Sequence, residues 1–425
     1  MHFNTNQKIN QVSEKTLVIG IDIAKRTHYA CAVDERGRVL QKSFPFAQTR
    51  EGFDAFYERL LALRATYEKS DVLVGFEPTG HYWMNLAAYL CAHGIPFIMV
   101  NPHHVNRSKE LDDNLQTKND QKDALVIARL MRDGRFSYPR ILEGVEAELR
   151  NGATLRAKIQ EDLNALQNRM IRWIDRFFPE FMAVFKQFGK MAYAVLEMTP
   201  LPQDIQGKSP EELLFLYRQV EGLQSPQRPK AKQLVEVAQR SIGLTEGLVM
   251  ARIEIATLLE QYKLMQSQLD ALTEQLIELS KEITDYEYVS SVPGIGDVTM
   301  VELLSEVGSL TQYEHPRQLM KLAGLTLREN SSGQHKGQKR ISKRGRRKLR
   351  ALLFRVMIPL IRHNEAFKQL HEYYTTRAVN PLRKKQSIVV LCGKLLKILH
   401  TLCKKKVHFD VSHMMKDLYC LQEAA

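Results

Sequence analysis

Four acidic side chains in the first third of the chain stand where carboxylates can gather round a cation. Asp22 falls inside the apolar run Ile19-Gly20-Ile21-Asp22-Ile23, where a bare carboxylate is costly to bury without a metal or another partner. Glu77 ends the run Leu73-Val74-Gly75-Phe76-Glu77, directly before Pro78-Thr79-Gly80. Asp120 and Asp123 are three residues apart at the start of an expected helix and so share one of its faces. Such oxygen donors suit Mg²⁺ or Mn²⁺, and a pair of these ions can steady the attacking and leaving oxygens of a phosphodiester. Singly, each acid has a plainer use: Asp120 as a helix cap, Glu77 as a surface acid before a turn, Asp22 as a loop support. Together, an Asp inside a first strand and a D-x-x-D pair downstream favour a metal site.

The other end of the chain carries the opposite charge. Lys336, Lys339, Arg340, Lys343, Arg344, Arg346, Arg347, Lys348 and Arg350 make nine of fifteen consecutive residues basic. That density neutralises phosphates and repels itself when no polyanion is present. A solvated charge run is the common alternative, but Gly333, Gly337 and Gly345 punctuate this segment and an apolar helix follows it. Just upstream, Ser331-Ser332-Gly333 offers a hydroxyl that could attack phosphorus if deprotonated, with arginines holding the developing charge. By itself the tripeptide reads as a loop. Pro293-Gly294-Ile295-Gly296 lies between two helical stretches, either as a plain turn or as a helix-hairpin-helix whose amides hold a DNA phosphate.

The basicity is local. Residues 289–425 carry 25 basic and 10 acidic side chains, whereas residues 1–288 carry 36 and 38, within a chain of net charge +13. One strongly basic third points to a polyanion-binding module, and nucleic acid fits it better than a membrane surface.

The elements that must position these groups follow from hydrophobic pattern. Residues 16–23 read as a buried strand, and 27–34 with 38–46 flank the turn Asp34-Glu35-Arg36-Gly37, giving a three-stranded antiparallel meander. A helix over 51–65 with Phe53, Phe56, Leu60 and Leu63 inward precedes a strand at 71–77. A helix from Trp83 to His93, a strand at 95–101 and a helix from Asp120 follow. This is the order of an RNase H-like (RuvC-like) α/β domain, expected over residues 1–140. The middle, 141–288, is expected to be helical. Leu248, Ile255, Tyr262, Leu269, Leu276 and Ile283, with Ala251, Leu258, Met265, Leu272 and Leu279, fill heptad positions of a coiled coil. Ile159, Leu163, Leu166, Met170, Trp173 and Phe177 repeat the pattern, ending at Pro179. The two seams make either an intramolecular hairpin or a dimerisation arm. Residues 200–235, rich in Pro, Gln and Lys, read as an exposed insert. A mainly α DNA-binding domain is expected over 289–425.

Composition excludes other classes. The five cysteines have no CxxC spacing, so neither a disulfide framework nor a zinc ribbon is indicated, and a reducing, cytoplasmic setting is expected. The polar start lacks a signal-peptide core, and no apolar run of membrane length stands out.

With the segments Ile19-Gly20-Ile21-Asp22-Ile23-Ala24-Lys25, Gly75-Phe76-Glu77-Pro78-Thr79-Gly80-His81-Tyr82, Val100-Asn101-Pro102 and Thr117-Lys118-Asn119-Asp120-Gln121-Lys122-Asp123-Ala124 in place, the N-terminal part resembles the DEDD, RuvC-like half of the insertion-sequence 110 family of transposases. Residues 292–300 and 322–353, with Ser332-Gly333 and Ile341-Ser342-Lys343-Arg344-Gly345, resemble that family's C-terminal transposase domain. Piv/MooV-type DNA invertases are relatives. The resemblance implies a DNA transposase or site-specific recombinase, with Asp22, Glu77, Asp120 and Asp123 as the metal-binding tetrad. It implies a nucleophilic serine before the glycine, which falls on Ser332, with Ser331 as its neighbour. It further implies DNA ends and target as substrates, a structured non-coding RNA as guide, and a homo-oligomer, dimer or tetramer. Two readings from other classes compete: a structure-specific endonuclease using water, and a non-catalytic nucleic-acid-binding protein.

Overall fold

Residues Leu17–Ile21 are apolar without the alternation of a half-exposed strand, which suits a strand covered on both faces. They form β1 (Thr16–Asp22), inside a six-stranded mixed sheet. The structure, a computed structural model, describes residues 5–113, 120–328, 331–332, 335–336 and 339–414, in two compact units, Met1–Ile141 and Leu142–Ala425. In the first unit α1 (Thr5–Ile9) precedes β1, which pairs antiparallel with β2 (Thr27–Val33), itself antiparallel to β3 (Val39–Ala47). The turn between β2 and β3 is held by the Asp34 carboxylate, which accepts the N–H groups of Arg36 and Arg38. α2 (Arg50–Thr66), capped by Thr49, leads to β4 (Asp71–Phe76), parallel to β1. α3 (Trp83–Ala92) leads to β5 (Phe97–Val100), parallel to β4. α4 (Pro102–Asp113), α5 (Asp120–Arg132) and β6 (Phe136–Ser137) complete a sheet of order β3-β2-β1-β4-β5-β6.

The expected meander and the alternation after it are present, whereas α4 and β6 were not foreseen. α4 is polar along most of its length and β6 has two residues, so neither leaves a hydrophobic period. The sheet is covered on both faces. Ile19 and Ile21 pack with Phe53, Phe56 and Leu60 of α2 and Leu86 and Leu90 of α3; Val18 packs with Ala124, Ile127 and Met131 of α5. Gly20 and Gly75 are partners in the β1–β4 register and form a flat saddle for α5. A Cβ on Gly20 would stand 2.3 Å from the Ala124 carbonyl oxygen and 2.4 Å from the Ala128 nitrogen, so only glycine lets the helix lie this close.

The second unit opens with α6 (Gly144–Phe177) and the short helices α7 (Phe181–Val184), α8 (Lys190–Met198), α9 (Pro202–Ile205), α10 (Pro210–Arg218) and α11 (Arg228–Gln239), then α12 (Leu248–Lys281). α6 and α12 pack antiparallel. Gly152 lies against Leu276, and Arg156 Nε donates to Thr273 Oγ1 at 3.0 Å. Gln167 Nε2 donates to the Tyr262 hydroxyl at 3.1 Å, and Trp173 Nε1 to the Ala251 carbonyl at 2.9 Å. Every heptad position of α12 is buried or half-buried, and the seam is filled by the chain's own α6. The hairpin alternative is therefore the one the structure adopts for this seam.

Residues 200–235 are not the exposed insert expected from their composition. Leu201, Ile205, Leu213, Tyr217, Ala231 and Leu234 are buried with Trp173, Phe177 and Ile255 in one core. Their polar residues lie on the outer faces of short amphipathic helices, a pattern that bulk composition hides.

The remainder is α13 (Asp285–Ser290), α14 (Asp297–Val307), a 3-10 turn at Leu310–Gln312 and α15 (Pro316–Leu322). Four two-residue strands follow: β7 (Leu327–Arg328), β8 (Ser331–Ser332), β9 (His335–Lys336) and β10 (Arg340–Ile341). α16 (Arg347–His363), α17 (Glu365–Thr376) and α18 (Lys384–Lys405) close the unit. α18 is long and apolar enough to cross a membrane by length and composition alone. Leu391, Leu395, Leu396, Leu399 and Cys403 are buried with Leu353, Met357 and Phe367, so the helix serves as a core element.

Candidate functional site

β1 and β4 place the first two acids. They pair in parallel with Ile21 opposite Phe76, so Asp22 and Glu77, each one residue further on, emerge side by side at the same edge of the sheet. Neighbouring strands lie about 4.8 Å apart, within reach of one ion for two carboxylates. Both acids are half-buried, as befits groups at the rim of a core. Asp123 is 6% exposed and directly precedes Ala124, the residue whose carbonyl rests on Gly20, two positions before Asp22. The helix is thus held over the β1 end by backbone contact. Asp120 is the first residue of α5, and its side chain lies outside the described residues. Among the described residues no group of three or more His, Cys, Asp or Glu side chains is closed up as a metal cage.

A buried histidine behind this edge escaped the sequence reading. His28 on β2 is fully buried, its ring against Phe46 and Phe53. Its Nδ1 accepts the Ala24 N–H at 3.2 Å, which leaves Nε2 as the protonated nitrogen that donates to Gln48 Oε1. Gln48 Nε2 in turn donates to the Tyr82 carbonyl at 2.9 Å. Burial holds the imidazole pKa below its ordinary value, opposed by the bond to Gln48. The available signal was a polar residue at an inward position of a strand.

The basic segment of the second unit is ordered in two parts. β8 pairs antiparallel with β9, placing Ser332 opposite His335 and Ser331 opposite Lys336; these four side chains lie outside the described residues. β7 pairs with β10, setting Arg328 directly opposite Arg340. Beyond β10 the backbone is pinned to the end of α15. Ser342 N–H donates to the Thr326 carbonyl at 2.7 Å, Lys343 N–H to Gly324 at 3.0 Å and Arg346 N–H to Leu322 at 2.7 Å. The segments 322–326 and 342–346 are therefore two halves of one structure.

The nine basic residues do not share one role. Lys339, Arg340, Lys343, Arg344, Arg347 and Lys348 are exposed. Arg346 Nη1 instead donates to the Glu306 carbonyl and lies 3.6 Å from its carboxylate. Arg350 Nη1 donates to the carbonyls of Ala323 at 2.9 Å and Lys343 at 3.3 Å. Glu306, 9% exposed, is also bound by Arg150 at 3.0 Å, while Glu302 one turn earlier pairs with Arg156 at 3.0 Å and with Arg355. These ion pairs tie α6, α14 and α16 together. Arg346 and Arg350 thus also brace the fold from within.

At Pro293–Gly296 the chain turns between α13 and α14. Asp297, the first residue of α14, accepts the Tyr286 hydroxyl at 2.7 Å. A carboxylate already sits at that helix N-terminus, which disfavours a phosphate there and favours the plain-turn reading.

Comparison with known families and proteins agrees with both ends of the chain. Residues 19–179 match a family of DEDD transposases of the IS110 type, described as "Transposase", and residues 286–372 match "Transposase IS116/IS110/IS902 family". The chain is 25% identical to the transposase for insertion sequence element IS1111A of Coxiella burnetii, over 81% of this chain and 78% of that one. It is 24% identical to the pilin gene-inverting protein of Moraxella bovis, over 92% and 97% of the two chains. It is 26% identical to the uncharacterized 44.8 kDa protein of insertion element IS116 of Streptomyces clavuligerus, over 91% and 94%.

Proposed function

Since the chain belongs to the insertion-sequence 110 family of transposases, and is a DNA transposase/recombinase by class, we propose that it cuts and rejoins DNA strands with an RNase H-like acidic site and a serine nucleophile. The observation that carries this reading is the register of β1 on β4, which puts Asp22 and Glu77 side by side at one sheet edge. A meander followed by parallel strands, in the order β3-β2-β1-β4-β5, supports an RNase H-like sheet. Asp22, Glu77 and Asp123, with Asp120 on the same helix face, are the residues that would hold Mg²⁺ or Mn²⁺. All four are hard oxygen donors, the kind of ligand that such an ion takes. Bound there, the ion would polarise the phosphodiester and offset charge on the reacting oxygens.

Ser332 would attack the phosphorus: its hydroxyl oxygen forms the new P–O bond, the 3′ or 5′ oxygen of the broken bond leaves, and the serine proton passes to solvent or a nearby base. Rejoining reverses these steps with a DNA hydroxyl as nucleophile. Arg328 and Arg340, exposed and opposite each other on β7 and β10, support a polyanion ligand by adding to the basic surface. Exposed Lys343, Arg344, Arg347 and Lys348 extend that surface. The family resemblance adds a structured non-coding RNA guide and a homo-oligomeric assembly to the proposal.

The test is Asp22→Asn, which keeps the shape and removes the charge a hard cation needs. Cleavage of a cognate DNA should fall by on the order of 10³-fold or more while DNA affinity stays within about twofold. Normal cleavage by this variant would overturn the acidic-site assignment.

A further inference from the structure

The buried His28 and Gln48 do more than fill the sheet. Asp22, the last residue of β1 and paired with Tyr29 of β2, is followed by the irregular residues 23–26, and Glu77 by residues 78–82, so each acid leads directly into a segment that its own strand does not hold. One hydrogen-bonded chain links these two segments: Ala24 N–H to His28 Nδ1, His28 Nε2–H to Gln48 Oε1, and Gln48 Nε2–H to the Tyr82 carbonyl. The chain uses both ring nitrogens of the imidazole and both ends of the amide, and its ends are backbone atoms of the two segments that directly follow the acids. The imidazole cannot swing away, because Phe46 and Phe53 flank it, with ring centroids at 5.0 and 6.2 Å. Residues that fix the orientation of metal-binding groups from behind commonly change metal affinity when lost.

We propose that His28 and Gln48 are positioning residues that set the spacing of the Asp22 and Glu77 carboxylates for the divalent cation. This rests on the acidic-site reading above. The link makes the two loops one rigid unit, so that the cation meets preset donors and does not have to order them.

The full-length protein would be titrated with Mn²⁺, with free Mn²⁺ followed by its electron spin resonance signal, alongside DNA binding and thermal unfolding. Gln48→Leu, which breaks the link at its centre, should weaken Mn²⁺ binding by about tenfold, with cleavage restored at saturating Mn²⁺ and DNA affinity unchanged. Gln48→Glu keeps the acceptor for His28 but cannot donate to Tyr82, and should weaken it by a smaller factor. Phe46→Leu, which loses packing beside the same ring but keeps both bonds, should lower the melting temperature and leave Mn²⁺ affinity alone. Parental Mn²⁺ affinity in both Gln48 variants, or an equal loss in Phe46→Leu, would overturn the proposal and leave a merely structural link. Failure of the parent protein to bind Mn²⁺ would instead fell the acidic-site reading itself.

Discussion

The acidic rim of the first unit and the basic segment of the second are both read from dense charge, yet the fold treats them differently. At the rim, a parallel strand register and a helix seated on two glycines determine where Asp22, Glu77 and Asp123 emerge, through backbone geometry alone. In the basic segment the described side chains divide between an exposed face and a scaffold, because Arg346 and Arg350 turn inward onto Glu306 and backbone carbonyls. Placement by backbone register follows from pattern. Placement by long, flexible side chains depends on which acid or carbonyl the tertiary fold brings near.

The contrast can be broken at the rim first. Gly20→Ala would drive a methyl group into the backbone of α5, so the helix must lift from β1 and carry Asp123 with it. A loss of at least about 2–3 kcal/mol in denaturant unfolding is expected, together with loss of cleavage. Retained activity and stability would show that α5 does not need this close seat. Next is the helical hairpin, whose inner face tolerates no charge. Leu276→Lys places an ammonium against Gly152 in the α6–α12 seam and should cost about 3 kcal/mol or more by the same assay. Loss of oligomeric mass with unchanged stability would mean that another copy fills the seam.

The basic segment offers a paired comparison with smaller effects. Arg346→Gln leaves Glu306 with Arg150 as its remaining cation and should lower stability by about 1–2 kcal/mol, the pair being partly screened by solvent. Arg344→Gln with Arg347→Gln should leave the melting temperature unchanged. Their effect is to weaken DNA binding and flatten its log–log salt dependence by roughly one unit per lost phosphate contact. An unchanged salt slope in the double variant, or a lowered one in Arg346→Gln, would erase the division between binding and scaffolding residues.

Much of this was legible because it rests on short periods. The run around Ile19 marks a strand buried on both faces, the repeat from Leu248 to Ile283 marks a helix with one inner seam, and Asp22 is conspicuous where it interrupts an apolar strand. What could not be read depends on partners distant in sequence. Glu306 claims Arg150 and Arg346 across 156 and 40 positions. The seam of α12 admits either its own α6 or a second copy until the antiparallel pairing of Trp173 with Ala251 is seen. The burial of residues 200–235 is hidden in the sequence because their short helices bury one face each, and too few turns repeat for a period to stand out from the Pro and Gln content. His28 looked like one more strand residue, since its bonds run to Ala24 on one side and to Gln48, after the next strand, on the other.

The central claim, that an acidic rim and a serine act on the same strand-exchange chemistry, is tested most directly by covalent capture on a nicked DNA carrying the element's end sequence. The parent protein should yield a protein–DNA adduct that survives denaturation and maps by peptide sequencing to Ser332. Ser332→Ala and Asp22→Asn should bind the DNA yet form no adduct, while Ser331→Ala still does so. An adduct formed by Ser332→Ala but lost in Ser331→Ala would move the nucleophile one residue upstream. Active cleavage by the parent with no adduct at either serine would contradict the account and point to water as the nucleophile.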